Sequence, residues 1–161
     1  MIPLRFIPII ASMFLSTSAY SADWYYLYDF NDKAITVSDK SAITGTMPTK
    51  YLWTTVVSID PKLDFDTMVV YDEYNCSSYQ TRTLGVAFSS KGTITNSKTY
   101  PDAKWSSVGP DTLAETSLKF ACGQPKRKYT PLPVLNNISS PFEIAKVLQP
   151  AMRQIAKERD K

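Results

Sequence analysis

The stretch EYNCSSYQTRTLGVAFSSKG, Glu73 to Gly92, holds one of the two cysteines of a chain that has no histidine. It reads as the core of a hairpin. DTMVVYDEYNC runs into YQTRTLGVAFS with Ser77 and Ser78 between them, and β-branched and aromatic residues fill both arms. With the two serines as the loop, Val69 faces Val86, Tyr71 faces Leu84, and Glu73 faces Arg82 as an opposite-charge pair. The other face then carries Met68, Val70, Tyr74 and Cys76, with Gly85 and Ala87 across from them. An apolar surface with small residues of this kind suits the reception of a helix.

Outward from the hairpin the same pattern repeats. DWYYLYD, AITVSD and TKYLWTTVVSID precede it, the last ended by Asp60-Pro61, and TITNSKTY follows the Lys91-Gly92 turn. Short strands with close connections predict an α+β fold whose antiparallel meander sheet has about six strands. One helix is expected over Asp111 to Ala121, started by Pro110-Asp111 and stopped by Gly123. Its apolar stripe is Leu113, Leu118 and Ala121, with Phe120 alongside. Cys122 at its last turn would pin it to the Cys76 face of the sheet.

The start of the chain supports that pairing. Arg5, the apolar run FIPIIASMFL and the small residues of STSAYSA read as a signal peptide over residues 1–21, with cleavage after Ser21 or, alternatively, Ala19. An exported chain folds under oxidising conditions, where two cysteines without histidine are read as a disulfide, two free thiols being the alternative. Two ligands are too few for a zinc site, and a cysteine nucleophile lacks its usual histidine base. A Cys76–Cys122 bridge would stabilise the fold by up to about 4 kcal/mol on chain entropy. No cysteine stands near the cleavage region to take a lipid anchor, so the expected location is periplasmic, secreted or on the outer surface.

Charge divides the mature chain. Ala22 to Cys122 has nine Lys/Arg against twelve Asp/Glu, whereas Gly123 to Lys161 has eight against three. The reading is an acidic domain over residues 22–123 and a basic appendage over 124–161. GQPKRKYTPLPVLNNISSP reads as a Pro-containing linker with Lys126, Arg127 and Lys128. A helix follows from Pro141, with Phe142, Ala145, Leu148, Met152 and Ile155 on its apolar side. Arg153, Lys157 and Lys161 form a basic stripe, and Pro150 is expected to kink or restart the helix.

Ten tyrosines and three tryptophans are the conspicuous compositional feature. Trp24, Tyr26, Trp53 and Trp105 are the candidate binding surface, since such side chains favour interfaces; filling the core of a thin sheet is the competing use. Asp29 to Asp32 and Asp60 to Asp66 cluster carboxylates without the glycine and terminal glutamate of an EF-hand loop, so turn chemistry explains them better than calcium. No phosphate loop, catalytic triad or metal-ligand pair is present, which argues against an enzyme and against a cofactor.

In order, DWYYLYD, ITVSDKSAI, YLWTTVVS, YDEYNCSSYQTRTLGVAFSSKG and YPDAKWSSVGPDTLAETSLKFACG resemble the surface-adhesin protein E domain of Gram-negative bacteria, over about Asp23 to Gly123. The resemblance implies an antiparallel sheet with a disulfide-linked helix on it, homodimers in some members, and attachment to host extracellular-matrix proteins. Two features depart from it. The lipid-anchoring cysteine is missing, and Asp60 to Glu73 sets five carboxylates against one lysine, poorly suited to acidic segments of matrix proteins. The expected function is an exported binding module for a matrix or envelope protein, with no nucleic-acid partner. The alternative is an envelope-structural role in which the basic tail docks on anionic lipid or a cell-envelope partner.

Overall fold

Six segments pair in chain order to form the sheet. They are β1 (Trp24–Phe30), β2 (Ala34–Asp39), β3 (Thr49–Ser58), β4 (Thr67–Asn75), β5 (Gln80–Ser90) and β6 (Thr93–Thr99). The computed structural model describes residues 22–30, 33–124 and 129–159. Residues 1–21 and Asn31, Asp32, Lys126, Arg127, Lys128 and Lys161, to which the sequence assigned a signal peptide, part of an acidic cluster and part of the basic tail, lie outside them. Among the described residues the sheet has eight strands in the order β6-β5-β4-β3-β2-β1-β8, with β7 beside β5. The two short additions are β7 (Ser106–Ser107) and β8 (Thr130–Pro131). The expected antiparallel meander is thus present and extended at both margins.

The hairpin register holds near the turn and slips beyond it. Asn75 pairs with Gln80, and Glu73 pairs with Arg82, as the sequence indicates. The turn is wider than two serines, spanning Cys76 to Tyr79. Asn75 Oδ1 accepts from the amides of Ser77 (3.1 Å) and Ser78 (3.0 Å), an Asx-type closure that explains why serines suffice there. A bulge then inserts Leu84, so that Tyr71 faces Gly85 and Val69 faces Ala87, not Leu84 and Val86. Leu84 gives its carbonyl to the amide of Tyr100 at 2.8 Å. The bulge also moves Gly85 and Ala87 to the Val69–Tyr71 face, while Val86 and Phe88 pair with Val70 and Met68.

On the face that carries Leu52 and Tyr74 lies α1 (Leu113–Ala121). It starts two residues later than expected, because Asp111 has φ +56° and Thr112 is extended. Thr112 accepts from the Glu115 amide at 3.1 Å, and Glu115 Oε2 accepts from the Asp111 amide at 2.9 Å, an arrangement close to a capping box. Gly123 with φ +68° follows the end of the helix, as the sequence indicates. Leu118, Phe120 and Ala121 are buried against Leu27, Leu52 and Tyr74. The disulfide between Cys76 and Cys122 spans 5.8 Å between α carbons, inside the range a bridge requires.

The opposite face receives α2 (Ile144–Arg159), introduced by a 3-10 turn over Pro141–Glu143. Ile144, Ala145, Leu148 and Met152 pack with Trp24, Val37, Val57 and Leu135 in a second core. Leu132 and Ile138, within the stretch read as linker, pack against it. Gln149 Nε2 donates to the Ser58 carbonyl at 2.6 Å, and Trp24 Nε1 to the Ile138 carbonyl at 3.0 Å. Ile155, expected on the apolar side, is 51% exposed, so the buried stripe stops at Met152. Nor does Pro150 restart the helix, which continues through it. Pro150 and Lys146 are both exposed, so water can satisfy the carbonyl that the proline leaves unpaired. No helix among the described residues is long and apolar enough to cross a membrane.

Replacing both cysteines, Cys76→Ser with Cys122→Ser, should lower unfolding free energy by about 2–4 kcal/mol. Urea denaturation of the oxidised wild type and the variant measures it, with α1 expected to lose amide-exchange protection before β3 and β4.

Candidate functional site

Side chains two residues apart share a sheet face, and the register places the four aromatic candidates on one of them. Trp24 and Tyr26 lie two apart on β1, Trp53 is on β3, and Trp105 reaches the Arg82 side chain of β5. Their surroundings differ. Trp24 is buried under the C-terminal segment at 5% exposure. Tyr26 is half-buried, pairs with Thr130 and donates to Asp29 Oδ2 at 2.8 Å. Trp53 is 44% exposed.

Trp53 has a partner that single-strand reading missed. Across the β3–β4 hairpin it faces Tyr71, with ring centroids 4.3 Å apart and planes within 18°. Tyr51 stacks on the other side of the series, 6.0 Å from Tyr71 and inclined by 25°. The long loop between β3 and β4 hid this register, which the position of the turn alone could not give. The tyrosines that point the other way have a different use. Tyr25 lies 5.6 Å from Phe120 and packs with Tyr28 against the α1 core. The aromatic surplus is therefore divided between core filling and an outward strip.

An ion pair anchors the far end of the strip. Glu73 is 5% exposed and accepts from Arg82 Nε at 2.6 Å and from the Tyr51 hydroxyl at 3.2 Å. The guanidinium carbon of Arg82 stands 4.8 Å from the Trp105 ring centroid, a cation–π distance. Charge on Glu73, followed by burial, raises the Tyr51 phenol above its ordinary value. One buried carboxylate thus orients a tyrosine, an arginine and, through the arginine, a tryptophan.

Of the carboxylates weighed as calcium ligands, Asp60 and Asp66 serve turns, and Asp29 accepts from the Tyr26 hydroxyl on β1. Asp60 Oδ1 accepts from the Lys62 amide at 3.0 Å, and Asp66 Oδ2 from the Lys91 amide at 2.6 Å. No cluster of three or more His, Cys, Asp or Glu positioned for a metal occurs among the described residues. Arg153 and Lys157 are exposed on α2.

Two clefts flank these features. The one on the aromatic face, about 360 Å³, lies between Trp24, Trp53 and Phe142. The one on the α1 face, about 800 Å³, lies beyond the helix and is lined by Val70, Thr83, Val86, Phe88 and Tyr100. Behind Thr83 stands Asp72, whose oxygens accept from the Thr83 hydroxyl at 2.7 Å and the Tyr74 hydroxyl at 3.1 Å. Burial raises the Asp72 carboxyl despite these bonds, which favour its ionised form. Burial, together with the Asp72 charge, also pushes the Tyr74 phenol well up.

A carboxyl raised in the folded state contributes stability below its unfolded-state value, and that contribution is lost as pH climbs through the folded value. Ionised Asp72 is therefore a cost at neutral pH. Asp72→Asn should raise the melting temperature at neutral pH, and the gain should vanish in acid, where the wild-type carboxyl is already protonated. Thermal melts of both proteins across the acid range check the sign.

A family model described as Surface-adhesin protein E matches residues 24–123, the sheet from β1 through to the end of α1. Among solved structures, crystal form II of Haemophilus influenzae protein E is similar at 16% identity with a TM-score of 0.39, covering 55% of this chain and 80% of that one. No curated protein matches. α2 and the segment that leads into it lie outside the family match.

Proposed function

The chain belongs to the Surface-adhesin protein E family, and on that premise we propose that it is an exported, non-enzymatic binding module that recognises another protein through its aromatic sheet face. The observation that carries this reading is the stack of Trp53 and Tyr71, 4.3 Å apart on a surface where Trp53 is 44% exposed. Rings held against each other by paired strands lose little conformational freedom on binding, which makes them efficient anchors. The Glu73–Arg82–Trp105 group beside them adds polar contacts whose orientation is set in advance. The partner is a host extracellular-matrix protein or a cell-envelope protein, met from the periplasm or the outer surface.

Solid-phase binding to a panel of purified matrix proteins tests it. Trp53→Ala with Tyr71→Ala should weaken a positive interaction at least about tenfold, with little change in fold by circular dichroism. Failure of the wild type across the whole panel removes the matrix-adhesin reading.

A second reading is supported by the way α2 packs. Its apolar side is used against the sheet, which leaves Arg153 and Lys157 facing outward, a geometry for peripheral contact with anionic lipid rather than insertion. Co-sedimentation with phosphatidylglycerol-containing vesicles should then fall with added salt and in the Arg153→Gln, Lys157→Gln variant. Salt-independent or absent sedimentation counts against it.

A further inference from the structure

Asp39 stands between two tryptophans. It pairs with Trp24 across β1 and β2, and it follows Ser38, the partner of Thr54, which brings it level with Trp53 on the same face. All three line the cleft of about 360 Å³, together with Val69 and Ala87 on the floor and Phe142 on the C-terminal wall. The Leu84 bulge made that floor shallow, by setting Ala87 rather than Val86 opposite Val69. The wall comes from the segment beyond residue 123, so the enclosure is not a feature of the family-matched part alone.

The lining is mostly hydrocarbon and aromatic ring, with one carboxylate. Asp39 Oδ1 is saturated: it accepts from the amides of Asp23 (2.8 Å) and Ser41 (2.9 Å) and from the Ser41 hydroxyl (2.6 Å). Oδ2 accepts no hydrogen bond among the described residues. One face of the Trp53 indole is taken by Tyr71, so its other face is available to the cleft. A site of this kind asks for a ligand with an apolar stem and a compact positive end.

We propose that this cleft is a pocket for a lysine side chain presented by the protein partner. The four-carbon stem lies along Val69, Ala87 and the rings of Trp53 and Phe142, and the ammonium meets Asp39 Oδ2 between the indoles. A single open carboxylate oxygen matches a compact ammonium better than a guanidinium fork, which is best met by two oxygens. The inference deepens the protein-binding reading, since it names the group by which the partner is anchored.

Titration of the ¹⁵N-labelled mature chain with N-acetyl-lysine methylamide, its norleucine counterpart and its arginine counterpart tests the assignment. The indole N–H resonances of Trp24 and Trp53 should shift saturably with the lysine probe, more weakly with arginine and negligibly with norleucine, while that of Trp105 stays in place. Asp39→Asn retains an oxygen for the Asp23 and Ser41 donors, so the fold should persist while lysine affinity falls about tenfold or more. Phe142→Ala provides an independent variant that removes the wall without touching the charge, and it should also weaken the lysine response severalfold. An equal response to norleucine, an affinity unchanged by both substitutions, or no saturable shift overturns the pocket. Should the pocket fail while a matrix protein still binds in a Trp53-dependent way, the parent reading stands without it. Failure of the matrix panel with lysine binding intact removes the matrix-adhesin reading instead and leaves the pocket standing.

Discussion

The bond between Cys76 and Cys122 ties the exit of β4 to the end of α1 across 46 residues of chain. A helix of nine residues is too short to persist on its own in water, and α1 exists because its stripe is buried and its end is fixed. Leu118 reaches 0% exposure and Tyr74 1% at the contact, so the sulfur link and the apolar contact act at the same place. Each makes the other more effective: the link restricts the unfolded chain, and the packing gives the restricted geometry something to favour. The β5 strand, the β6 edge and the Trp105 segment are all held within the loop that this bond closes.

With one face of the sheet taken by α1, the central strands still present Val37, Val57 and Val69 on the other. A two-sided sheet of this kind must be covered twice. The second cover comes from α2 and the packed residues Leu132, Leu135 and Ile138, all beyond the family-matched stretch. Coverage stops short of Trp53 and Tyr71, whose stacked rings stay outside. The aromatic strip is thus the part of a buried-type surface that the second cover does not reach, and the smaller cleft is the margin where cover and strip meet.

How much of this was legible depends on the range of the interaction. Strand identities, the Gly123 stop of α1, the Glu73–Arg82 pair and the disulfide follow from composition, short spacing and redox compartment, and the structure has them, whereas the start of α1 is shifted from Asp111 to a Thr112 cap. The Tyr71–Trp53 stack was not readable, because the long connection between β3 and β4 left their register open. Nor was the Leu84 bulge. Its carbonyl is satisfied by Tyr100, sixteen residues away, and nothing in the local pattern marks a residue that is extruded to meet a distant donor.

The sequence by itself determined a disulfide-clamped antiparallel meander, since period-two hydrophobicity, turn residues and a lone pair of cysteines act locally or with a single possible partner. Tertiary structure alone decided which aromatics face outward, where small residues leave a hollow, and that the basic C-terminal segment folds back to wall it. Those outcomes depend on which surfaces compete for cover. That competition is settled between elements far apart in the chain, where no spacing rule reaches.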